Sequence, residues 1–188
     1  RYMVTPVGGE YQPVELKNAS SGIQTSAPLL SIVRYYSHEF IFKEAFRSRA
    51  LVRPYGGRLL TKFAPQVELG ALDKYVHIHI EEPELSLYPD AQCRLVESMV
   101  NEAFTKVSQD RHVNVMMATH SPYIINYLNV LLRRWYFQNT MPTEVKMNPE
   151  DVAVYKIEDG RLIMLNSIDM KSKEMVINTL DLSRTMND

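Results

Sequence analysis

The stretch YVHIHIEEPELSLYP, residues 75–89, decides the fold class. It opens as an apolar strand over residues 75–80 and ends in two adjacent carboxylates, Glu81 and Glu82, placed directly before Pro83. Alternate residues of a strand share a face, so His77, His79 and Glu81 point the same way. Pro89 is suited to the first position of a helix, because its missing N–H would have no helical partner there.

Working outward, residues 89–108 carry a helical pattern with Leu95, Val96, Met99, Val100, Ala103 and Phe104 on its buried side. A second strand follows from His112 to Ala118 and stops at Thr119-His120-Ser121-Pro122, and a helix is expected over 122–134. Strand, helix, strand, helix is the order of a parallel α/β sheet, whose ligand sites gather at the carboxyl ends of the strands. Glu81-Glu82 and His120 both occupy such ends.

Toward the N-terminus, residues 1–17 read as extended segments around a Gly8-Gly9 turn. Leu29, Leu30, Val33, Tyr36, Phe40 and Ile41 then recur at helical spacing, with Ser20, Ser21 and Gly22 at the helix start and Pro28 expected in the first turn. Residues 53–60 read as a turn, and residues 58–74 carry no clear pattern. Near the other end, DVAVYKIEDGRLIMLN is a β-hairpin signal, two alternating runs joined at Asp159-Gly160.

The composition narrows the function classes. An apolar fraction of 45% over 188 residues suits a single globular domain, or part of a larger one, with a real core. A formal charge of −1 gives no general attraction to nucleic acid or to a membrane surface. A single cysteine, Cys93, excludes an internal disulfide framework and fits a reducing, cytoplasmic setting. No apolar run approaches the roughly 20 residues that span a bilayer.

Two chemistries could use the opening stretch. His77, His79 and Glu81 have a chelating spacing for zinc or iron, although no further ligand has a partner spacing and ordinary hydrogen-bonded histidines are the commoner outcome. The carboxylate pair suits a magnesium–nucleotide site, where one acid holds the ion and the other polarises the attacking water. A solvated acidic turn would explain the same pair. His120, between small Thr119 and Ser121 and ahead of a proline-started helix, has the character of a phosphate-facing loop. Ser20-Ser21-Gly22 has it too, though such a sequence is usually a helix cap.

In chain order, three segments resemble the ATP-binding-cassette type of ATPase, in particular the RecF/OLD-like group of AAA-family ATPases. ASSGIQ at 19–24 resembles the signature motif, YVHIHIEEPELSLYP the Walker B strand with the loop after it, and MMATHSPYIINYL at 116–128 the switch-histidine loop. The resemblance implies a partial P-loop NTPase fold of this type, a mainly parallel sheet flanked by helices with a C-terminal hairpin. It implies that Glu81 assists Mg²⁺, that Glu82 is the catalytic carboxylate and that His120 contacts the γ-phosphate of ATP. Ser21 and Gly22, with Gln24 close by, would meet the ATP held by a second subunit in a head-to-tail homodimer, and Leu85 to Pro89 would lie between the subunits. Tyr88 stands where the group commonly has histidine, and Ile23 replaces the second glycine of the transporter-type signature.

None of the seven glycines precedes a lysine, so no GxxxxGK[ST] loop occurs in the sequence. The expectation is therefore that residues 1–188 form the C-terminal part of such an ATPase domain, which alone does not turn over ATP. The resemblance further implies DNA repair, plasmid defence or anti-phage work, with DNA or an effector nuclease as partner. The alternatives are a metal-dependent hydrolase built on His77, His79 and Glu81, and an interaction domain that keeps the fold without the nucleotide.

Overall fold

The computed structural model of the chain describes residues 2–5, 12–41, 75–107, 111–140 and 145–179. The Gly8-Gly9 turn and residues 53–74 lie outside the described residues. The centre of the fold is a β-α-β-α run: β3 (Tyr75–Glu81), α2 (Pro89–Val100), β4 (His112–Ala118) and α3 (Pro122–Tyr136). Strands β3 and β4 are parallel and in register from Tyr75↔His112 to Glu81↔Ala118. Their alternation is decisive: Val76, Ile78 and Ile80 are buried while Tyr75, His77, His79 and Glu81 are exposed.

The buried face of β3 joins one core with Leu95, Val96 and Met99 of α2 and with Ile124, Leu128, Leu131 and Leu132 of α3. Val33 of α1 (Ser21–Arg34) enters the same core. Both helices after the strands start with proline at the first turn, as expected from Pro89 and Pro122. Glu97 of α2 ties the helices together, accepting from Tyr127 Oη at 2.5 Å and from Arg134 Nη1 at 2.6 Å. Parallel sheets are normally covered on both faces. The opposite face here is open among the described residues, with Tyr75 stacked on His112 and Met116 exposed.

Several sequence expectations are corrected. The helix after β3 stays α-helical only to Val100, then widens into a π-type turn at Asn101–Thr105, closed by Lys106 N–H to Asn101 O. The extra residue in that turn rotates the apolar stripe, so Ala103 remains buried while Phe104 turns outward. Pro28 lies inside α1, beyond the first turn, where it has no N–H to give to the Gln24 carbonyl. Helix α1 also ends in a π-type turn, Tyr35–Glu39, and Arg111 donates to the Tyr36 and Phe40 carbonyls at 3.0 and 2.6 Å to close it.

The sheet is not mainly parallel among the described residues. One parallel pair stands beside three antiparallel pairs. β1 (Met3–Val4) pairs with β2 (Val14–Glu15), and β5 (Tyr155–Glu158) with β6 (Arg161–Met164). The latter is the expected hairpin: Asp159 and Gly160 have φ of 49° and 73°, the two positive values that a type I′ turn requires. β7 (Asn166–Ile168) and β8 (Met175–Ile177) make a further pair. Asn129 of α3 docks it, accepting from Ile177 N–H at 2.8 Å and donating to Ile177 O at 2.9 Å. No described helix is long and apolar enough to cross a membrane.

Candidate functional site

The register of β3 and β4 brings their carboxyl ends level. The Glu82 N–H continues the parallel ladder by donating to Ala118 O at 2.9 Å, so Glu82 and the Thr119-His120 segment leave the sheet side by side. Glu82 has φ of 46°. That left-handed conformation is uncommon for a residue with a side chain, and a residue before proline ordinarily stays extended. Strain of this kind persists only where the surroundings impose it. Here Pro83 is fully buried below the turn, while Leu85 N–H to Glu82 O and Leu87 N–H to Glu84 O hold the chain above it.

The consequence is that Glu82 projects outward beside His120. His120 Nε2 lies 3.9 Å from Glu82 Oε1, and the two side chains are 89% and 57% exposed. Both could therefore reach a ligand at the end of the strands. Glu81, one residue back, lies on the open face with His77 and His79, and makes no ion pair among the described residues. The carboxylate pair thus divides between two directions. No group of three or more His, Cys, Asp or Glu is gathered to hold a metal ion among the described residues. Within that limit the histidine-rich face provides no chelating cluster.

Glu84 is the residue that the sequence did not single out. Its Oε2 accepts from Thr119 Oγ1 at 2.7 Å and its Oε1 from the His120 backbone N–H at 2.8 Å. Partial burial works to raise its pKa. The hydrogen bond from Thr119, the backbone hydrogen bonds and nearby His120 outweigh that effect and hold the carboxyl below its ordinary value. Ser121 caps α3 through Ile124 N–H and also donates its hydroxyl to Gln92 Oε1, while Gln92 Nε2 donates to Leu87 O at 2.9 Å. Only one signal was legible beforehand, a third acid two positions after Glu82.

The signature-like segment lies against the same turn. Ser20, not Ser21, is the helix cap, accepting from Ile23 N–H at 3.4 Å. The Ser21 hydroxyl is exposed and makes no hydrogen bond among the described residues. Gly22 is buried, and a Cβ added to it would fall 2.9 Å from both Leu87 Cδ2 and Ser86 O. Gln24 turns back on its own chain: its Nε2 donates to Lys17 O at 3.1 Å and Ala19 O at 2.7 Å. It braces the entry to α1 and offers no free amide to a phosphate in this conformation.

No curated protein and no solved structure matches the chain. A family model described as an AAA ATPase domain matches residues 61–125, a span that contains Glu81, Glu82, Glu84 and His120 but not Ser21 or Gly22. The segment that builds the Glu82–His120 site is thus similar to an AAA ATPase domain, and an ATPase module is what that similarity implies.

Proposed function

We propose that the chain supplies the acidic, histidine and signature elements of an ATP-hydrolysing site of the RecF/OLD-like type. The observation that carries this reading is the pairing of Glu82 with His120 at the level ends of two parallel strands, within the AAA-matched span. Glu82 acts as the carboxylate that orients and polarises the attacking water. His120 contacts the γ-phosphate through its exposed imidazole. Glu81 suits a magnesium ion that keeps most of its water, since it is an exposed carboxylate with no cation paired to it among the described residues. When bound, Mg²⁺ would neutralise phosphate charge.

Ser21 and Gly22 form the surface offered to the nucleotide of a facing subunit, in a head-to-tail dimer. Three things support this: the exposed Ser21 hydroxyl, which makes no hydrogen bond among the described residues, the capping role taken by Ser20, and the contact of Gly22 with the turn after Glu82. Gln24 serves the signature by bracing the backbone before it. The sequence has no GxxxxGK[ST], so the loop that cradles the β- and γ-phosphates is supplied by other polypeptide sequence. DNA or an effector nuclease as the partner, and DNA repair or anti-phage defence as the setting, are carried only by the resemblance of residues 19–24, 75–89 and 116–128.

The test is ATP binding and turnover by the purified 188-residue chain, by itself and with the P-loop polypeptide. The chain alone should bind ATP weakly and turn over far below about 1 s⁻¹, the lower range for enzymes of this kind. Ordinary turnover by the chain alone would overturn the reading.

A further inference from the structure

His120 has an unusual support. Its imidazole is 89% exposed and lies 3.9 Å from Glu82 Oε1, too far for a hydrogen bond, so its aim is set by the backbone that carries it. That backbone is held by Glu84. One carboxylate oxygen accepts the His120 N–H at 2.8 Å, and the other accepts the Thr119 hydroxyl at 2.7 Å. The Thr119 oxygen in turn accepts from Ser121 N–H at 3.0 Å. All three residues of the loop therefore hang, directly or through Thr119, on one side chain.

The other end of the turn is bound as well. Ser121 and Gln92 are both buried, and their hydrogen bond continues through Gln92 Nε2 to Leu87 O. Gln92 thus fixes where the loop ends, and Glu84 fixes where His120 stands within it. A carboxylate is the group this geometry needs. Each of its oxygens accepts a separate donor, whereas an amide would face one of those donors with its own N–H. Charge-assisted bonds of this kind are also the stronger ones.

We propose that Glu84 is the positioning residue that aims His120 at the γ-phosphate, an assignment that rests on the ATPase reading above. Glu84 itself touches neither nucleotide nor water in this role. It acts through the His120 backbone, and a displacement of a loop by about 1 Å can lower a rate by about a hundredfold.

The experiment compares Glu84→Gln and His120→Ala in the assembly that hydrolyses ATP, with the His120 amide proton read by NMR in the 188-residue chain. Glu84→Gln should lower kcat by about ten- to a hundredfold and leave KM for ATP nearly unchanged. It should also shift the His120 amide proton upfield, whereas Glu82→Gln should not. If Glu84→Gln melts below the assay temperature, Thr119→Val carries the same test and should also lower kcat more than it changes KM. A wild-type kcat, a KM that rises in step with the loss, or an unmoved His120 amide would overturn the proposal. Full turnover by His120→Ala would instead sink the role of His120 and its positioning by Glu84, whereas no ATP turnover by the wild-type assembly would sink the ATPase reading itself. Loss of turnover in His120→Ala with full turnover in Glu84→Gln would sink the positioning role alone.

Discussion

His120 and Glu82 stand 3.9 Å apart on adjacent strand ends, in a conformation that Glu82 holds at a φ of 46°. Neither side chain is packed in the core, so little of the fold depends on the imidazole. His120→Ala should therefore change stability by no more than about 0.5 kcal/mol, as surface substitutions do. Turnover by the P-loop-bearing assembly should nevertheless fall by about 10²–10³, the usual loss on removing one donor to developing charge. Melting curves and steady-state kinetics on the same preparation check both halves.

Ser20 and Ser21 are neighbours with different roles. Ser20→Ala removes the cap of α1 and should destabilise the fold by about 1 kcal/mol. Ser21→Arg should leave the melting temperature nearly unchanged but block ATP-dependent dimerisation, because its hydroxyl faces outward. Mixing Ser21→Arg subunits with Glu82→Gln subunits should restore part of the activity, since one composite site then carries both lesions and the other neither. A Ser21→Arg protein that melts early yet dimerises normally with ATP would make Ser21 a structural residue.

Gly22→Ala tests the close approach of α1 to the turn after Glu82. The new methyl would meet Leu87 Cδ2 and Ser86 O, each at 2.9 Å. The leucine tip can yield, but the Ser86 carbonyl belongs to a backbone at φ of 62° and cannot move freely. Overpacking should cost about 1–3 kcal/mol, or roughly 2–4 °C per kcal/mol for a chain of this size. An unchanged melting temperature would show that the two segments are not in contact.

The acid limb of stability follows from Glu97 and Glu84. Tyr127 foremost, then Arg134, pull the Glu97 carboxyl below its usual value of 4.5 despite partial burial. Burial works against the shift of Glu84 too, and its hydrogen bonds overcome it. A folded pKa below the unfolded one gives stability that is complete above the unfolded value and is lost as pH falls through the folded value. Glu97→Gln should thus cost about 1 kcal/mol at neutral pH. Its melting temperature should converge on that of the wild type only as pH falls below the ordinary carboxylate range, through the lowered folded value. A constant gap at every pH would contradict this.

Much of the frame was legible because it is local. β3 announces itself through alternation from Tyr75 to Glu81, β4 runs over His112 to Ala118 as read, and the Asp159-Gly160 turn needs only its own dihedrals. What escaped was long-range or subtle. Glu84 and His120 meet only because the register sets Glu81 opposite Ala118, across 36 positions of sequence. The π-type turns at 35–39 and 101–105 differ from α-helix by one residue per turn, which a hydrophobic pattern cannot distinguish. Gln24 falls in the segment that resembles a signature motif, yet its amide finds two carbonyls of its own chain.

The most direct measurement is ATP binding and single-turnover hydrolysis by the P-loop-bearing assembly with Glu82→Gln. This exchange removes the charge that polarises water and almost none of the volume. ATP affinity should be kept, hydrolysis should fall by about 10²–10⁴, and the ATP-bound dimer should accumulate. Hydrolysis at the wild-type rate by Glu82→Gln would contradict the assignment of Glu82 as the catalytic carboxylate.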